Sequence, residues 1–292
     1  MRLLLFITLL TSSIFAKLNV AVAYPYIGEL SKEIAKDRVA IIPLSKGSWD
    51  PHFVVPKPSL IASIAKADLL ILNGASLEIG WLPPIVEGAN NAKIAKNSEG
   101  YLDLSEYIKL QDIPKSVDRS MGHVHEEGNP HFILDPHNVI KLAKVIALKL
   151  ALLDKENQNF YLSNFNAFET KWQHKLNNYD KKMAKCKGMK VVQYHELYNY
   201  FLRRYGIDSI DNIEPLAGVK PNPKHTMKLI KEIKENNIKL ILQDVYHEHK
   251  TAHFIADKSG AKVVKIPHDV GAIKGVDTLE KFYDTLVNRV CQ

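Results

Sequence analysis

The sequence predicts an α/β protein of two lobes, each a mainly parallel sheet flanked by helices, joined by one long helix. Short apolar, β-branched runs alternate with helical patterns in both halves of the 292-residue chain. Strands of this almost continuously apolar kind belong to parallel sheets that are covered on both faces. Between the halves, residues 154–185 contain no Gly or Pro and carry aromatic residues at three- and four-residue steps, which predicts the connecting helix.

The first half alternates strands with helices. Strands are predicted at residues 18–24, 39–44 and 68–74, with helices at residues 26–36 and from the expected N-cap Ser59 to residue 65. Residues 88–127 are less periodic, and only a short strand at 92–95 and a helix at 104–108 are expected there. Residues 139–153 are apolar around most of a helical circumference, so we expect a buried helix.

The second half repeats the α/β pattern. Strands are predicted at residues 188–195, 238–244 and 262–266, and helices at residues 197–205, 225–235 and 251–258. The expected organisation is therefore an N-terminal lobe of residues 17–153, a connecting helix of residues 154–185 and a C-terminal lobe of residues 186–292.

Residues 1–16 have the layout of a secretory signal peptide, with one positive charge, an apolar run and small residues before the expected cleavage after Ala16. No Cys lies near that point, so we expect a soluble, periplasmic protein without a lipid anchor. No later apolar run is long enough to span a membrane.

Charge and cysteine content narrow the functional classes. Lys and Arg outnumber Asp and Glu by 39 to 32, but no arginine-rich run or basic patch interleaved with aromatic residues indicates a nucleic-acid partner. Cys186 and Cys291 are compatible with a disulfide in an exported chain and equally with two unpaired thiols.

Three histidines occupy positions where ligands are expected. His52 follows the second predicted strand, His131 lies in a proline-bounded segment, and His195 ends the first strand of the second half. Open α/β sheets bind ligands at the carboxyl ends of their strands. Prolines stiffen the segment of residues 129–137, which lowers the entropy cost of ordering a ligand there. Three imidazoles and a fourth ligand form a tetrahedral zinc site.

The fourth ligand is less strongly marked. Asp269, which follows the last predicted strand, is the predicted ligand, with His268, Asp244 and a water molecule as alternatives. His123 and His125 lie in a Gly-flanked loop beside His131 and are the predicted accessory ligands, either for a second ion or for transfer to the main site.

The sequence does not predict an enzyme. It contains no H-E-x-x-H motif, no G-x-S-x-G elbow and no phosphate-binding loop. A catalytic zinc ion also needs a general base beside an open coordination position, and no clear base accompanies the three histidines.

Several stretches, taken together, carry a family resemblance over almost all of the mature chain. They are Asp50-Pro51-His52, residues 67–74 with Leu77-Glu78, Asn129-Pro130-His131-Phe132 with Leu134-Asp135-Pro136, His195-Glu196-Leu197 with Tyr200-Phe201 and Tyr205-Gly206, and Glu214-Pro215. The chain resembles the periplasmic receptors of zinc and manganese ABC importers, the cluster 9 solute-binding proteins.

That resemblance implies two α/β lobes joined by one long helix, with the metal ion between the lobes. The first three ligands of the family fall on His52, His131 and His195. Histidine at the third position is typical of zinc receptors, whereas manganese receptors tend to carry glutamate. The loop of His123 and His125 is similar to a much shortened form of the histidine-rich loop of zinc receptors.

We therefore expect a monomeric periplasmic receptor that binds Zn²⁺ and delivers it to the membrane permease of an ABC importer. The alternatives are a manganese receptor of the same family, an exported zinc-dependent hydrolase and a metal-buffering adhesin.

Overall fold

The computed structural model describes residues 17–114, 125–216 and 218–292. The predicted signal peptide, residues 1–16, lies outside the described residues. Within the described ranges, no helix combines the length and the apolar character needed to cross a membrane.

The first half of the chain forms a four-stranded sheet. Its strands are β1 (Leu18–Val22), β2 (Val39–Pro43), β3 (Leu69–Leu72) and β4 (Tyr101–Asp103), in the order β2-β1-β3-β4. All three strand pairs are parallel, with Leu18 opposite Val39 and Val20 opposite Leu69. Every residue of β3 is buried, as expected for a central strand of a parallel sheet covered on both faces.

Four helices accompany this sheet: α1 (Pro25–Ala35), α2 (Pro58–Ile64), α3 (Leu82–Ala89) and α4 (Asn138–Leu153). Proline stands in the first turn of α1, α2 and α3, where the missing N–H costs no helical hydrogen bond. The prediction of Ser59 as an N-cap was wrong, because Lys57 is the N-cap of α2 and Pro58 begins the helix.

One long helix, α5 (Gln158–Met183), follows α4, with a 3₁₀ turn at each end. Its 26 residues span about 39 Å at 1.5 Å per residue. Its buried face consists of Tyr161, Phe165, Phe168, Trp172, Leu176, Tyr179 and Met183. These residues include most of the aromatic side chains whose spacing predicted the helix.

A second parallel sheet follows, made of β5 (Lys190–Gln193), β6 (Asp208–Asn212), β7 (Leu240–Gln243) and β8 (Lys262–Lys265) in the order β6-β5-β7-β8. Its helices are α6 (Asn199–Arg204), α7 (Pro223–Glu235), α8 (Lys250–Ser259) and α9 (Leu279–Val290). Two parallel sheets flanked by helices, with one long helix between them, confirm the predicted fold class.

The irregular part of the first half differs from the prediction. The strand expected at residues 92–95 is a 3₁₀ turn, Ala92–Ile94, in which the Asn91 side chain accepts a hydrogen bond from the Lys93 N–H. The helix expected at residues 104–108 is likewise a 3₁₀ turn, Ser105–Tyr107. α4 is buried on one face only, since Leu148 is 51% exposed.

Hydrogen bonds and helix packing tie the two halves of the molecule together. The Arg204 side chain donates to both carboxylate oxygens of Asp135, at 2.7–3.1 Å, and Tyr283 Oη donates to the Ile133 carbonyl oxygen. α9 packs against α1 and α5, so the end of the chain contacts elements on the side of the first sheet. We expect these contacts to limit relative movement of the two sheets.

A disulfide bond joins Cys186 to Cys291, which resolves the alternatives left open by the sequence. It connects the 3₁₀ turn after α5 to the residue that follows α9, across a sequence separation of 105 residues. Because a loop of this length has many conformations in the unfolded chain, the crosslink should remove much of that entropy.

We predict that replacing both cysteines by serine lowers the free energy of unfolding by about 2–5 kcal/mol, because the unfolded chain regains the entropy of the long loop. Urea denaturation followed by circular dichroism measures this change. Wild-type protein in a reducing agent is the control and should approach the stability of the double variant. Equal denaturation midpoints for oxidised, reduced and substituted protein would contradict the prediction.

Candidate metal centre

His52 lies in the loop that follows β2, and its backbone and side chain are both anchored. Asp50 Oδ1 accepts hydrogen bonds from the backbone N–H of His52, at 2.9 Å, and from Nδ1 of its ring, at 2.8 Å. Tyr24 Oη and Trp81 Nε1 donate to the Pro51 carbonyl oxygen at 2.9 and 3.2 Å. The bond at Nδ1 fixes the tautomer, so that His52 presents Nε2 as its metal-binding nitrogen.

Burial raises the pKa of the Asp50 carboxyl, but the hydrogen bonds and charge of His52 outweigh this effect and leave the pKa below its usual value. Asp50 is therefore ionised at neutral pH. An ionised carboxylate at Nδ1 makes Nε2 a stronger electron donor towards a cation.

His131 is held by the turn at the start of the proline-bounded segment. Asn129 Oδ1 accepts the His131 backbone N–H at 2.9 Å, and Asn73 Nδ2 donates to the Pro130 carbonyl oxygen at 3.0 Å. The residue is only 4% exposed, and its Nε2 is buried without a hydrogen-bond partner among the described residues. Burial, together with the neighbouring histidines, lowers the His131 pKa well below 6.5. The ring is therefore neutral, as a metal ligand must be.

His195 directly follows β5 and keeps extended backbone geometry. Its Nδ1 lies 2.7 Å from Glu214 Oε2, and both side chains are buried. Glu214 Oε1 in turn lies 3.7 Å from Nε2 of His247, whose Nδ1 bonds Asp244 Oδ2 at 2.8 Å. His195 thus has the same arrangement as His52, with a carboxylate at Nδ1 and Nε2 presented to the centre.

The structure brings the three predicted histidines together. One ligand atom from each of His52, His131 and His195 lies within 4.8 Å of the other two, and no further residue in the described ranges belongs to this group. The ring centroids are 5.3, 5.6 and 5.7 Å apart. Neutral imidazole nitrogens suit zinc and the later first-row divalent metals better than magnesium, calcium or manganese.

Asp269 is buried next to this group but is not part of it. Its Oδ1 accepts a hydrogen bond from the backbone N–H of Tyr26, in the first turn of α1, at 3.0 Å. The same oxygen accepts the backbone N–H of Val270 at 2.6 Å. Burial raises its pKa to about 8. A cavity of about 20 Å³ is lined by both Asp269 and His131.

The two alternative protein ligands also have other partners. His268 Nε2 lies 3.1 Å from the Trp49 carbonyl oxygen, and burial lowers its pKa to about 4. Asp244 accepts the backbone N–H groups of Tyr246 and His247 as well as the ring of His247. Both residues therefore support neighbouring loops in this structure.

Of the two predicted accessory histidines, His123 lies outside the described residues, whereas His125 reaches the three-histidine group. His125 Nε2 is 3.2 Å from His52 Nε2, and the two rings stack with centroids 5.3 Å apart. Asp50 and Glu214 were not predicted as residues of the site, although each lies in a stretch that carries the family resemblance.

A cavity of about 490 Å³ opens beside the group and is lined by His52 and His195. Three carboxylates, those of Asp50, Glu214 and Glu248, also line it. Lys220 lines the cavity as well, so side chains of both charges surround it.

The chain is similar in sequence to known proteins of metal transport. The family model described as "Zinc-uptake complex component A periplasmic" (ZnuA) matches residues 20–289. The high-affinity zinc uptake system protein ZnuA of Bacillus subtilis is 27% identical over 253 residues, which cover 84% of this chain and 76% of the relative. The manganese ABC transporter substrate-binding lipoprotein PsaA of Streptococcus pneumoniae is also 27% identical, over 230 residues that cover 76% of this chain and 70% of the relative.

Solved structures show the same fold. A crystal structure of ZnuA superposes with a TM-score of 0.78 at 24% identity and covers 94% of this chain and 99% of its own. The substrate-binding protein FpvC of Pseudomonas aeruginosa in complex with Mn²⁺ superposes with a TM-score of 0.72 at 21% identity and covers 94% of this chain and 96% of its own. Because the family model spans nearly the whole chain after the predicted signal peptide, the protein belongs to the ZnuA family of metal ABC transporter substrate-binding proteins.

Proposed function

We propose that this protein is the periplasmic zinc receptor of an ABC importer, which binds Zn²⁺ through His52, His131 and His195 and delivers it to a membrane permease. The observation that carries the proposal is the convergence of three histidine ligand atoms within 4.8 Å of one another. Two of the rings are held by carboxylates at Nδ1, the arrangement that orients histidine ligands of zinc.

The proposed organisation follows the predicted boundaries, with the signal peptide at residues 1–16, lobes at 17–153 and 186–292, and the helix of residues 154–185 between them. Zn²⁺ is cargo in this scheme and undergoes no chemistry. The family consists of substrate-binding receptors. The carboxylate of Glu214 is hydrogen-bonded to His195, a proposed metal ligand, so we do not propose it as a general base. We propose a monomer that works with the permease and ATPase of the importer.

Manganese is the second candidate cargo, because relatives named for zinc and for manganese match at the same identity. The donor atoms favour zinc. Manganese prefers carboxylate, carbonyl and water oxygens, whereas the three converging groups here are all imidazoles.

Release of the ion should involve small movements. The helix α5, the packing of α9 on α1 and α5, and the Arg204–Asp135 contact connect the two sheets at several points. We therefore propose local loop changes and small shifts of the sheets on release, in place of wide hinge opening.

We predict that purified wild-type protein holds one equivalent of zinc and that His131→Ala weakens zinc binding at least about 100-fold, because a buried ligand and its orienting turn are lost. The measurement is metal content and competition titration against a chelator, on protein prepared without a polyhistidine tag. His137→Ala is the matched control, since His137 lies in the same segment but bonds Asp180 at 2.8 Å. Equal zinc binding by both variants would overturn the proposed site.

We predict that zinc affinity decreases as the pH falls from about 7.5 to about 5.5, because protons compete with the metal for imidazole nitrogens near the ordinary histidine pKa of about 6.5. The zinc affinity should fall less steeply than that of a site made of three histidines with ordinary pKa values. The reason is that burial keeps the His131 pKa well below 6.5, so this ring needs no deprotonation in that range. Competition titrations at several pH values measure the slope. Constant affinity over the range would contradict imidazole ligation.

We predict that Glu214→Gln weakens zinc binding about 10–100-fold without changing the stoichiometry, because the variant loses the negative charge that orients and polarises His195. Glu248→Gln is the matched control. Glu248 lines the same cavity but accepts N–H groups at the start of α8, at 2.7–3.4 Å. Equal affinities for the two variants would contradict a role for Glu214 in orienting the ligand.

A further inference from the structure

We propose that Asn129 is a positioning residue of the metal centre, which sets the separation between His131 in the first half of the molecule and His195 in the second. This inference rests on the proposed function and identifies a residue outside the ligand set on which metal retention depends. Asn129 is buried, with 6% exposure. Its Oδ1 accepts the His131 backbone N–H and its Nδ2 donates to the Glu196 carbonyl oxygen, both at 2.9 Å. Because Glu196 directly follows His195, one amide group joins the backbones that carry two of the three ligands.

The orientation of this amide group is determined by its partners. An N–H group needs the amide oxygen and a carbonyl oxygen needs the amide nitrogen, so a flipped Asn129 side chain would lose both hydrogen bonds. The Asn129 backbone is held as well, since its N–H donates to the Gln111 carbonyl oxygen at 2.7 Å and its carbonyl oxygen accepts Tyr200 Oη at 2.8 Å. Tyr200 lies in α6. Asn129 therefore contacts the second half of the molecule through both its side chain and its backbone.

The length of this connection matters because the ligands of one ion must occupy defined positions. Zinc–imidazole bonds are about 2.0–2.1 Å long, and functional sites hold their groups to within about 0.5 Å. The ring centroids of His131 and His195 are 5.7 Å apart. Glu214 anchors the His195 ring, and Asn129 Oδ1 anchors the His131 backbone. The hydrogen bond from Asn129 Nδ2 then relates these two anchored segments to each other.

A second buried asparagine makes a comparable hydrogen bond between the two halves without contacting the backbone beside a ligand. Asn199 has 9% exposure, and its Nδ2 donates to Asp112 Oδ2 at 2.9 Å. Its Oδ1 accepts a hydrogen bond from Gln193 Nε2 at 2.7 Å. Asn199 thus uses both ends of its amide group, as Asn129 does, and provides the matched control.

Asn129→Ser and Asn199→Ser, compared with the wild type, test the proposal. A serine hydroxyl can still accept the N–H two residues ahead, so Asn129→Ser retains the turn at His131 and loses the hydrogen bond to Glu196. We expect this variant to weaken Zn²⁺ binding about 10–100-fold, mainly through faster dissociation. Stopped-flow transfer of zinc to a chromogenic chelator measures the dissociation rate. Asn199→Ser should release zinc at the wild-type rate.

A second readout separates positioning from general stability. The visible absorption bands of the Co²⁺-loaded protein depend on the geometry of the ligands, so they should change in Asn129→Ser and stay as in the wild type in Asn199→Ser. Urea denaturation of the metal-free proteins should lower the midpoint of both variants by similar amounts, since each loses one hydrogen bond between the halves. Asn129→Thr offers the same acceptor without the donor and should behave like Asn129→Ser if the serine variant does not fold.

Equal zinc dissociation rates for Asn129→Ser and Asn199→Ser, or an unchanged Co²⁺ spectrum in Asn129→Ser, would overturn this assignment. The two proposals fail separately. If the wild type holds one equivalent of zinc that His131→Ala loses, the receptor function stands even when Asn129→Ser releases zinc at the wild-type rate. If the wild type holds no zinc, the metal site itself is wrong.

Discussion

The parallel direction of every strand pair is the constraint on which the metal centre depends. In a parallel sheet all carboxyl ends of the strands meet at one edge, and loops that carry ligands collect there. His52 follows β2 in the first sheet, and His195 follows β5 in the second. The two edges face each other, so residues 143 positions apart in sequence place their rings 5.6 Å from centroid to centroid. An antiparallel arrangement would send half of these loops to the opposite edge.

Ligands from both sheets can form one metal site only if the two sheets keep a fixed separation. The sheets are connected by α5 and α9, by the disulfide between Cys186 and Cys291 and by the Arg204–Asp135 contact. The centre can then be built from residues of both sheets, because their separation is set by packed elements. The burial of the neutral His131 ring also depends on the fixed separation of the two sheets. Any widening of the cleft would admit water to His131 and remove the desolvation that holds its pKa down.

The sequence was sufficient to predict the elements that have strong periodicity. The central strands and the helices α1, α5, α6, α7 and α8 were predicted because their apolar residues repeat regularly. β4 has three residues, and β6, Asp208–Asn212, is polar at every position except Ile210, so neither gives a strand pattern. α9 was not predicted although its apolar residues follow helical spacing. A strand was wrongly expected at residues 92–95, where the Asn91 side chain instead stabilises a 3₁₀ turn.

The same reasoning explains which site residues the sequence could predict. His52, His131 and His195 come together because each stands at a strand end or in a stiff turn, and both settings are visible in sequence. The partners Asp50 and Glu214 depend on side-chain directions. Glu214 reaches His195 from 19 residues away, through the loop after β6. Asp269 also stands after a strand, yet its carboxylate accepts hydrogen bonds near the start of α1, a contact between residues 243 positions apart that no local pattern indicates.

Asp269 would have to give up a hydrogen bond to bind an ion. Asp269 is buried with a pKa of about 8, and turning its Oδ1 to the metal would leave the Tyr26 N–H without its acceptor, at a cost of about 1–3 kcal/mol.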